Sequence, residues 1–352
     1  MLAFSIDYYG IFFGATQSVE LFCTYHIDES PITSYPSIAN MLSMAWGKKE
    51  ELLPWLSDHF VQLVVRPHHD TRIDYYDHAD LDNNYRKIYG MPGYSWMRNN
   101  TDTIKAERFT DYIEFAVDHE YCLEPCLDNF YFSFSNCYQK HHYIHSTFIY
   151  GYDNEEEIVY AADFWELGKY STKMINYNEI NQSFNNEGIV NLFRYYKAEY
   201  EFNKKLLISS CRDYLESTDS NHLYEYSANN ENRDVIFGVS CYDYIKEYFH
   251  ENNDYIDFIP FHIFYDHKII MRYRLEYLKS VMQNNVNVID ELIVDNEEMV
   301  QKALELRNLV LKYSIARTEK TLSRIYEKID MLKEHDIKFM NSLIESLEMF
   351  ED

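Results

Sequence analysis

The sequence predicts an α+β protein, in which an N-terminal domain with an antiparallel sheet is followed by a mainly α-helical C-terminal region. The first observation is that residues 261–352 contain neither proline nor glycine, the two strongest helix breakers. The second is that the upstream residues mix helical periodicity with short aromatic and β-branched runs that end in turn residues. We place the boundary near residue 190, which gives domains of residues 1–190 and 191–352.

Charge and composition restrict the partners that the protein can have. The chain of 352 residues carries 32 basic and 58 acidic side chains, a formal net charge of −26. Such a charge repels phosphates and anionic lipids, so we expect neither nucleic acid nor a membrane as a partner, whereas amine-bearing partners fit. No apolar run approaches the roughly 18–20 residues of a membrane span, and no basic secretory region begins the sequence. We therefore expect a cytoplasmic protein.

Short patterns predict the elements of the N-terminal domain. Residues 11–26 have the apolar periodicity of a helix, and Phe130–Phe134 alternates aromatic residues and serines as a strand does. Ser146–Tyr150 and Ile158–Ala162 are β-branched and aromatic, and the acidic turn Asp153–Glu157 separates them. These two segments are predicted to form a β-hairpin.

Helical patterns dominate the second half of the chain. We predict helices near Ile189–Tyr214 and Cys241–Phe249. Four apolar residues near the C-terminus recur at alternating gaps of three and four positions: Leu322, Ile325, Ile329 and Leu332. This spacing predicts an amphipathic helix in a helical hairpin or small bundle. The apolar stripe, which continues to residue 347, can pack inside the chain or against a second copy, so a homodimer stays open.

The predicted hairpin brings a histidine and an aspartate together. His145 stands at the start of one strand and Asp163 at the end of the other. Facing residues on paired strands lie about 4.5–5.5 Å apart, which lets a carboxylate bind one imidazole nitrogen and orient the ring. The other nitrogen is then available as a general base. The pair lacks only a nucleophile.

The residues around this hairpin resemble a known family. Residues 145–153, which end in Gly-Tyr-Asp, and residues 160–164, Tyr-Ala-Ala-Asp-Phe, resemble the papain-like, C39-peptidase-like domain of the butirosin biosynthesis protein H group. Relatives of that group occur in non-ribosomal peptide clusters, and the resemblance covers roughly residues 1–185. It implies acyl or aminoacyl transfer from a carrier-protein thioester to an amine, without a cofactor or metal. In that scheme a cysteine takes the acyl group, His145 moves the proton and Asp163 orients His145.

The nucleophile is where this chain departs from the family. Family members carry the cysteine at the start of the first helix, and the matching positions here are Gly10 and Ile11. The next cysteine is Cys23, twelve residues after Ile11, and we take it as the candidate nucleophile. The ordinary interpretation of such a cysteine is a thiol packed in the core. Cys137, eight residues before His145, is a second candidate.

The resemblance also suggests how substrates bind. We assign substrate binding to Phe13, Gln17 and Tyr131, with an acyl or peptidyl carrier protein and an amine acceptor as partners. The 34 tyrosines and 22 phenylalanines can supply the desolvated pocket that favours transfer to an amine over water. An alternative is a degenerate, non-catalytic relative that binds carrier protein or product, because the expected cysteine is absent. A third is peptide hydrolysis.

Metal binding is a weaker interpretation of the same region. Cys122, Cys126 and the histidines at 141, 142 and 145 are ligand types for zinc, but the cysteine spacing is wider than in tight zinc motifs. The histidine- and aspartate-rich residues 66–80 also contain ligand types, but we interpret them as a solvated loop in preference to a metal site.

Overall fold

The computed structural model describes residues 18–20, 49–67, 70–75, 93–101, 104, 106–166, 169–184, 188–195, 199–223, 235–251, 258–282 and 286–349. The strands are β1 Ser18–Glu20, β2 Leu63–Arg66, β3 Asp70–Tyr75, β4 Tyr94–Asn100, β5 Cys122–Asp128, β6 Ile144–Ser146, β7 Phe148–Asp153, β8 Ile158–Glu166, β9 Lys169–Asn176, β10 Ile189–Tyr195 and β11 Ile236–Phe237. The helices are α1 Lys49–Asp58, α2 Phe109–Asp118, α3 Tyr177–Ser183, α4 Lys204–Glu216, α5 Ser240–Glu251, α6 Ile259–Val281, α7 Val286–Ala316 and α8 Glu319–Glu348.

These elements form two compact units. The first contains Ser18–Glu20 and the described residues of Ser95–Arg194. The second contains the described residues of Glu29–Tyr94 and Tyr195–Asp352. The predicted boundary near residue 190 is therefore close to where the first unit ends, at Arg194. The described residues of 49–75, however, belong to the helical unit and lie outside the predicted domain of residues 191–352.

The first unit is built on a sheet in the order β4-β10-β5-β7-β8-β9 among the described strands. The pairs around the predicted hairpin, β5–β7, β7–β8 and β8–β9, are antiparallel. Helix α2 covers one face because its apolar residues recur at helical spacing, and Phe109, Ile113 and Val117 are buried against this sheet. The prediction of an α+β protein with an antiparallel sheet is confirmed.

Three predicted elements differ from the structure. Ser18–Glu20, inside the predicted helix 11–26, is a strand that pairs with Gly151–Asp153 of β7. Phe130–Phe134 is not a strand, because a 3-10 turn over Asn129–Tyr131 begins it and the Asp128 carboxylate accepts a hydrogen bond from the Phe130 amide.

The third difference concerns the predicted helix over Ile189–Tyr214. Its first part is strand β10, in which Val190 and Leu192 are buried and which pairs with β5. The helix begins only at Lys204, where the Asn203 side chain accepts a hydrogen bond from the Leu206 amide. Pairing with a central strand has overridden a weak helical pattern.

The second unit is mainly helical, as the absence of glycine and proline after residue 260 predicts. Helices α6, α7 and α8 pack together, and the residues of the predicted stripe from Ile325 to Leu347 lie mostly in its core. A small sheet in the order β11-β2-β3 belongs to the same unit among the described residues. No helix in the described part of the chain is long and apolar enough to cross a membrane.

Candidate active site

The hairpin that carries the candidate site is formed by β7 and β8. Phe148 pairs with Ala162 and Gly151 with Tyr160, so the predicted antiparallel hairpin is confirmed. The register differs from the prediction, because His145 precedes β7 and lies on β6, where its partner is Leu127 of β5. His145 therefore does not pair with Asp163 across the strands, and the two side chains meet diagonally.

Asp163 is fixed through both carboxylate oxygens. Oδ1 accepts a hydrogen bond from the Phe164 amide at 2.7 Å. Oδ2 lies 2.9 Å from Nδ1 of His145 and accepts from the Thr147 hydroxyl at 3.3 Å. The Asp163 side chain is 3% exposed and the His145 side chain is 28% exposed. The carboxylate is thus held in the interior while one edge of the imidazole reaches solvent.

This arrangement sets the protonation of His145. An ionised carboxylate only accepts hydrogen bonds, so the bond to Asp163 places a proton on Nδ1. Burial lowers the pKa of His145, but the hydrogen bond and charge of Asp163, helped by the buried carboxylate of Glu124, outweigh it and raise the pKa above its ordinary value. Among the described residues no side chain bonds to Nε2, which can therefore accept a proton from a substrate.

An aromatic ring forms one wall beside the imidazole. The rings of Tyr143 and His145 are stacked, with centroids 5.6 Å apart and planes 13° apart. Two backbone hydrogen bonds hold Tyr143 in place. Its amide donates to the Asp128 carboxylate, and its carbonyl accepts from the Asn129 amide. Because Tyr143 is half exposed, its ring offers a flat apolar surface beside the imidazole.

A second histidine–aspartate pair lies in the loop between β5 and β6. Nδ1 of His142 is 2.5 Å from Oδ2 of Asp128, while Oδ1 of Asp128 accepts from the amides of Phe130 and Tyr143. The His142 ring stacks on Phe130 with centroids 4.4 Å apart. The hydrogen bond from Nδ1 to an aspartate is the same as in the pair of His145 and Asp163, but the His142 side chain is 64% exposed, against 28% for His145.

Sequence reasoning missed this second pair. It considered the neighbouring histidines only as zinc ligands, although an aspartate that begins a turn is a recognisable acceptor of hydrogen bonds. The hydrogen bonds of Asp128 also hold Tyr143 in place, so the second pair supports the wall of the first site.

Of the two candidate nucleophiles, Cys137 lies within the described residues and Cys23 does not. Cys23, together with Phe13 and Gln17, lies outside the described residues. Cys137 is half buried in a turn, where its amide is bonded to the Ser135 hydroxyl. In the described ranges no cysteine sulfur is hydrogen-bonded to His145.

Tyr131, the remaining predicted substrate-binding residue, ends the 3-10 turn after β5. Its ring centroid is 5.1 Å from that of Phe130 and 6.4 Å from that of His142. The structure therefore brings Tyr131 to the second pair.

The proposed zinc ligands of the sheet are not gathered at one point, because His142 and His145 each bind their own aspartate. The group of metal-ligand types found in the described residues is Asp295, Glu298 and His335, in the other unit. The Lys302 ammonium lies 2.8 Å from Glu298 and 2.9 Å from Nδ1 of His335, so this group forms an ion-pair network.

The fold and the site together define an α+β protein with a carboxylate-oriented, partly exposed imidazole on a short strand that pairs with β5 of an antiparallel sheet. Comparison with known proteins does not assign the chain to a family. No family model matches it, and no curated protein matches it.

Proposed function

We propose that the protein transfers an acyl or aminoacyl group from a carrier-protein thioester to an amine, with His145 as the general acid and base. The observation that supports this proposal most is the bond of 2.9 Å between Nδ1 of His145 and the buried Asp163 carboxylate. It fixes the tautomer in which Nε2 carries the free lone pair. The resemblance of residues 145–164 to the papain-like family agrees with this chemistry.

In a covalent route, a cysteine thiolate attacks the thioester carbonyl. The bond between carbonyl carbon and carrier sulfur breaks, and the carrier thiol leaves with a proton from His145. The amine then attacks the acyl-cysteine, gives its proton to neutral His145, and the cysteine thiolate leaves. Cys23 is the predicted nucleophile for this route.

The surroundings of His145 favour an amine as the acceptor. The Tyr143 ring, which stacks on His145, borders the site with apolar surface and shields a bound acyl group from water on that side. The net charge of −26 attracts cationic acceptors such as polyamines or amino sugars. An acidic carrier protein would have to dock on a local basic patch of this chain.

The test compares an alanine variant of His145, in the candidate site, with an alanine variant of His142, in the second histidine–aspartate pair. Acetyl-pantetheine serves as the donor and putrescine as the acceptor, and the amide is measured by mass spectrometry. His145→Ala should lower the rate by about 10²–10⁴-fold, because the proton acceptor is lost. His142→Ala removes an imidazole with the same carboxylate contact and should keep most of the rate. Full rate in His145→Ala, or no transfer by the wild type across a series of acyl groups, contradicts the proposal.

A second candidate function is a binding module for carrier protein or product. The observation that favours it is the absence of cysteine at Gly10 and Ile11, where the family carries its nucleophile. Timed alkylation with iodoacetamide distinguishes the two candidates, because a catalytic thiolate reacts quickly near neutral pH and packed thiols do not. One fast cysteine supports the covalent route, whereas uniformly slow cysteines together with carrier binding support the module.

A further inference from the structure

The helical unit contains an ion pair that is removed from solvent. Lys268 on α6 and Asp336 on α8 are both fully buried, and Nζ of Lys268 lies 2.6 Å from Oδ2 of Asp336. A buried ion pair is costly unless the remaining lone pairs and protons also find partners. The hydrogen bonds of each member therefore have to be accounted for.

Asp336 uses only one of its oxygens. Oδ2 accepts from Lys268 and from the hydroxyls of Tyr214 and Tyr242, at 2.5 and 3.0 Å. Oδ1 is buried and has no hydrogen bond to the protein within the described ranges. Burial raises the pKa of Asp336, but the Lys268 ammonium overcomes this and holds the pKa below its ordinary value. Oδ1 therefore belongs to an ionised carboxylate and needs a donor.

Lys268 has one proton left over. Of its three N–H groups, one bonds to Asp336 and one to Nδ1 of His267, at 2.9 Å. His267 can accept this bond because its Nε2 donates to the Val61 carbonyl, and because burial lowers its pKa to about 3, which keeps the ring neutral. The described residues offer no further acceptor to the third proton of Lys268.

A second unpaired acceptor comes from α7. Asn296 is fully buried, and its Nδ2 donates to the backbone carbonyl of Lys268 at 3.1 Å. Its Oδ1 has no partner in the described part of the chain. Asn296 and Asp336 thus both bind Lys268, one at the backbone carbonyl and one at the ammonium, and we call these three buried residues the Lys268 layer of the α6–α7–α8 bundle. One donor proton and two acceptor oxygens remain in that layer.

We propose that this layer binds one water molecule, which accepts from Nζ of Lys268 and donates to Oδ1 of Asp336 and Oδ1 of Asn296. Buried waters make about three hydrogen bonds, and this arrangement supplies one acceptance and two donations. A metal ion cannot accept the ammonium proton, and an anion cannot donate to the two oxygens, so water matches the unpaired groups of this layer.

The first test is a high-resolution crystal structure of the full chain. The expected result is density for a single water within hydrogen-bond distance of Lys268, Asn296 and Asp336. A protein donor at Oδ1 of Asp336 with no density between the three residues would overturn the proposal, as would a metal ion at that position.

The second test counts long-lived internal waters in solution by oxygen-17 relaxation dispersion. Asn296→Leu removes one acceptor and should lose one such water per chain relative to the wild type. Asn341→Leu is the matched control, because Asn341 on α8 makes the same amide-to-carbonyl bond on the exposed surface. An unchanged count in a folded Asn296→Leu protein contradicts the proposal. If that variant does not fold, the crystal structure of the wild type decides.

Discussion

Two aspartates in this protein hold imidazole rings in the same way, and the difference between them lies in what surrounds each ring. Asp163 and Asp128 each give one oxygen to a histidine Nδ1 and the other to backbone amides. Sequence reasoning found the first pair because a short hairpin connects its members. The second pair depends on a loop in which Gln139 has a φ of 52°. A positive φ is uncommon for residues other than glycine, so a glutamine at this position does not predict the turn.

The Asp163→Asn substitution tests the electrostatics of the first pair. The folded pKa of His145 is raised above 6.5, so its contribution to stability is complete below the unfolded pKa and is lost as pH rises through the folded pKa. Without the carboxylate charge, burial dominates and the folded pKa falls. Asp163→Asn should therefore cost more unfolding free energy at about pH 5.5 than at about pH 8.5, as measured by urea denaturation.

Glu156→Gln is the control for that comparison, because it removes a charge from the exposed turn of the same hairpin. Its cost should change little over the same pH range. A cost of Asp163→Asn that is equal at both pH values, or greater at the higher one, would show that Asp163 does not stabilise protonated His145.

At the scale of elements, local patterns predicted helices well where no sheet competes for the chain. The helices from α5 onward agree with the sequence pattern. Ser18–Glu20 and Ile189–Tyr195 were predicted as helical and are strands, because each pairs with a strand that is distant in the sequence. Pairing partners of that kind are not visible in a window of eleven to eighteen residues.

Two glycines allow a matched test of local backbone requirements. Gly238 precedes α5 with a φ of 57°, and a Cβ there would lie 2.0 Å from the Tyr214 carbonyl oxygen. Gly238→Ala should lower the unfolding free energy by about 2 kcal/mol or more, since neither the φ nor the space suits alanine. A Cβ at Gly188 meets no atom within 4 Å. Gly188→Ala should leave the urea midpoint nearly unchanged, and equal effects of the two substitutions would contradict this account.

At the scale of the whole molecule, the net charge follows from the sequence alone, whereas the assignment of chain segments to the two units does not. Residues 49–75 pack with helices that lie more than a hundred residues later, and such long-range contacts leave no local signal. The fold class and the closeness of His145 and Asp163 were predictable from the sequence. The register around His145 was not, because a one-residue break at Thr147 separates β6 from β7.

The net charge of −26 should make stability depend on salt. Like charges repel one another in the folded state, and added salt screens this repulsion. The melting temperature should therefore rise as sodium chloride increases from about 10 mM to about 150 mM, where the screening length falls from roughly 30 Å to 8 Å. A melting temperature that falls over this range would mean that attractive ion pairs outweigh the net repulsion.

The pH–rate profile of acyl transfer, measured for the wild type and for Asp163→Asn, tests the role of the His145–Asp163 pair most directly. If neutral His145 accepts the proton of the amine, the wild-type rate rises with pH through a pKa above 6.5. In Asp163→Asn this limb should move to lower pH and the maximum rate should fall, because the ring loses its orienting partner. A limb that stays at the same pH in both proteins would contradict the assignment of His145 as the base.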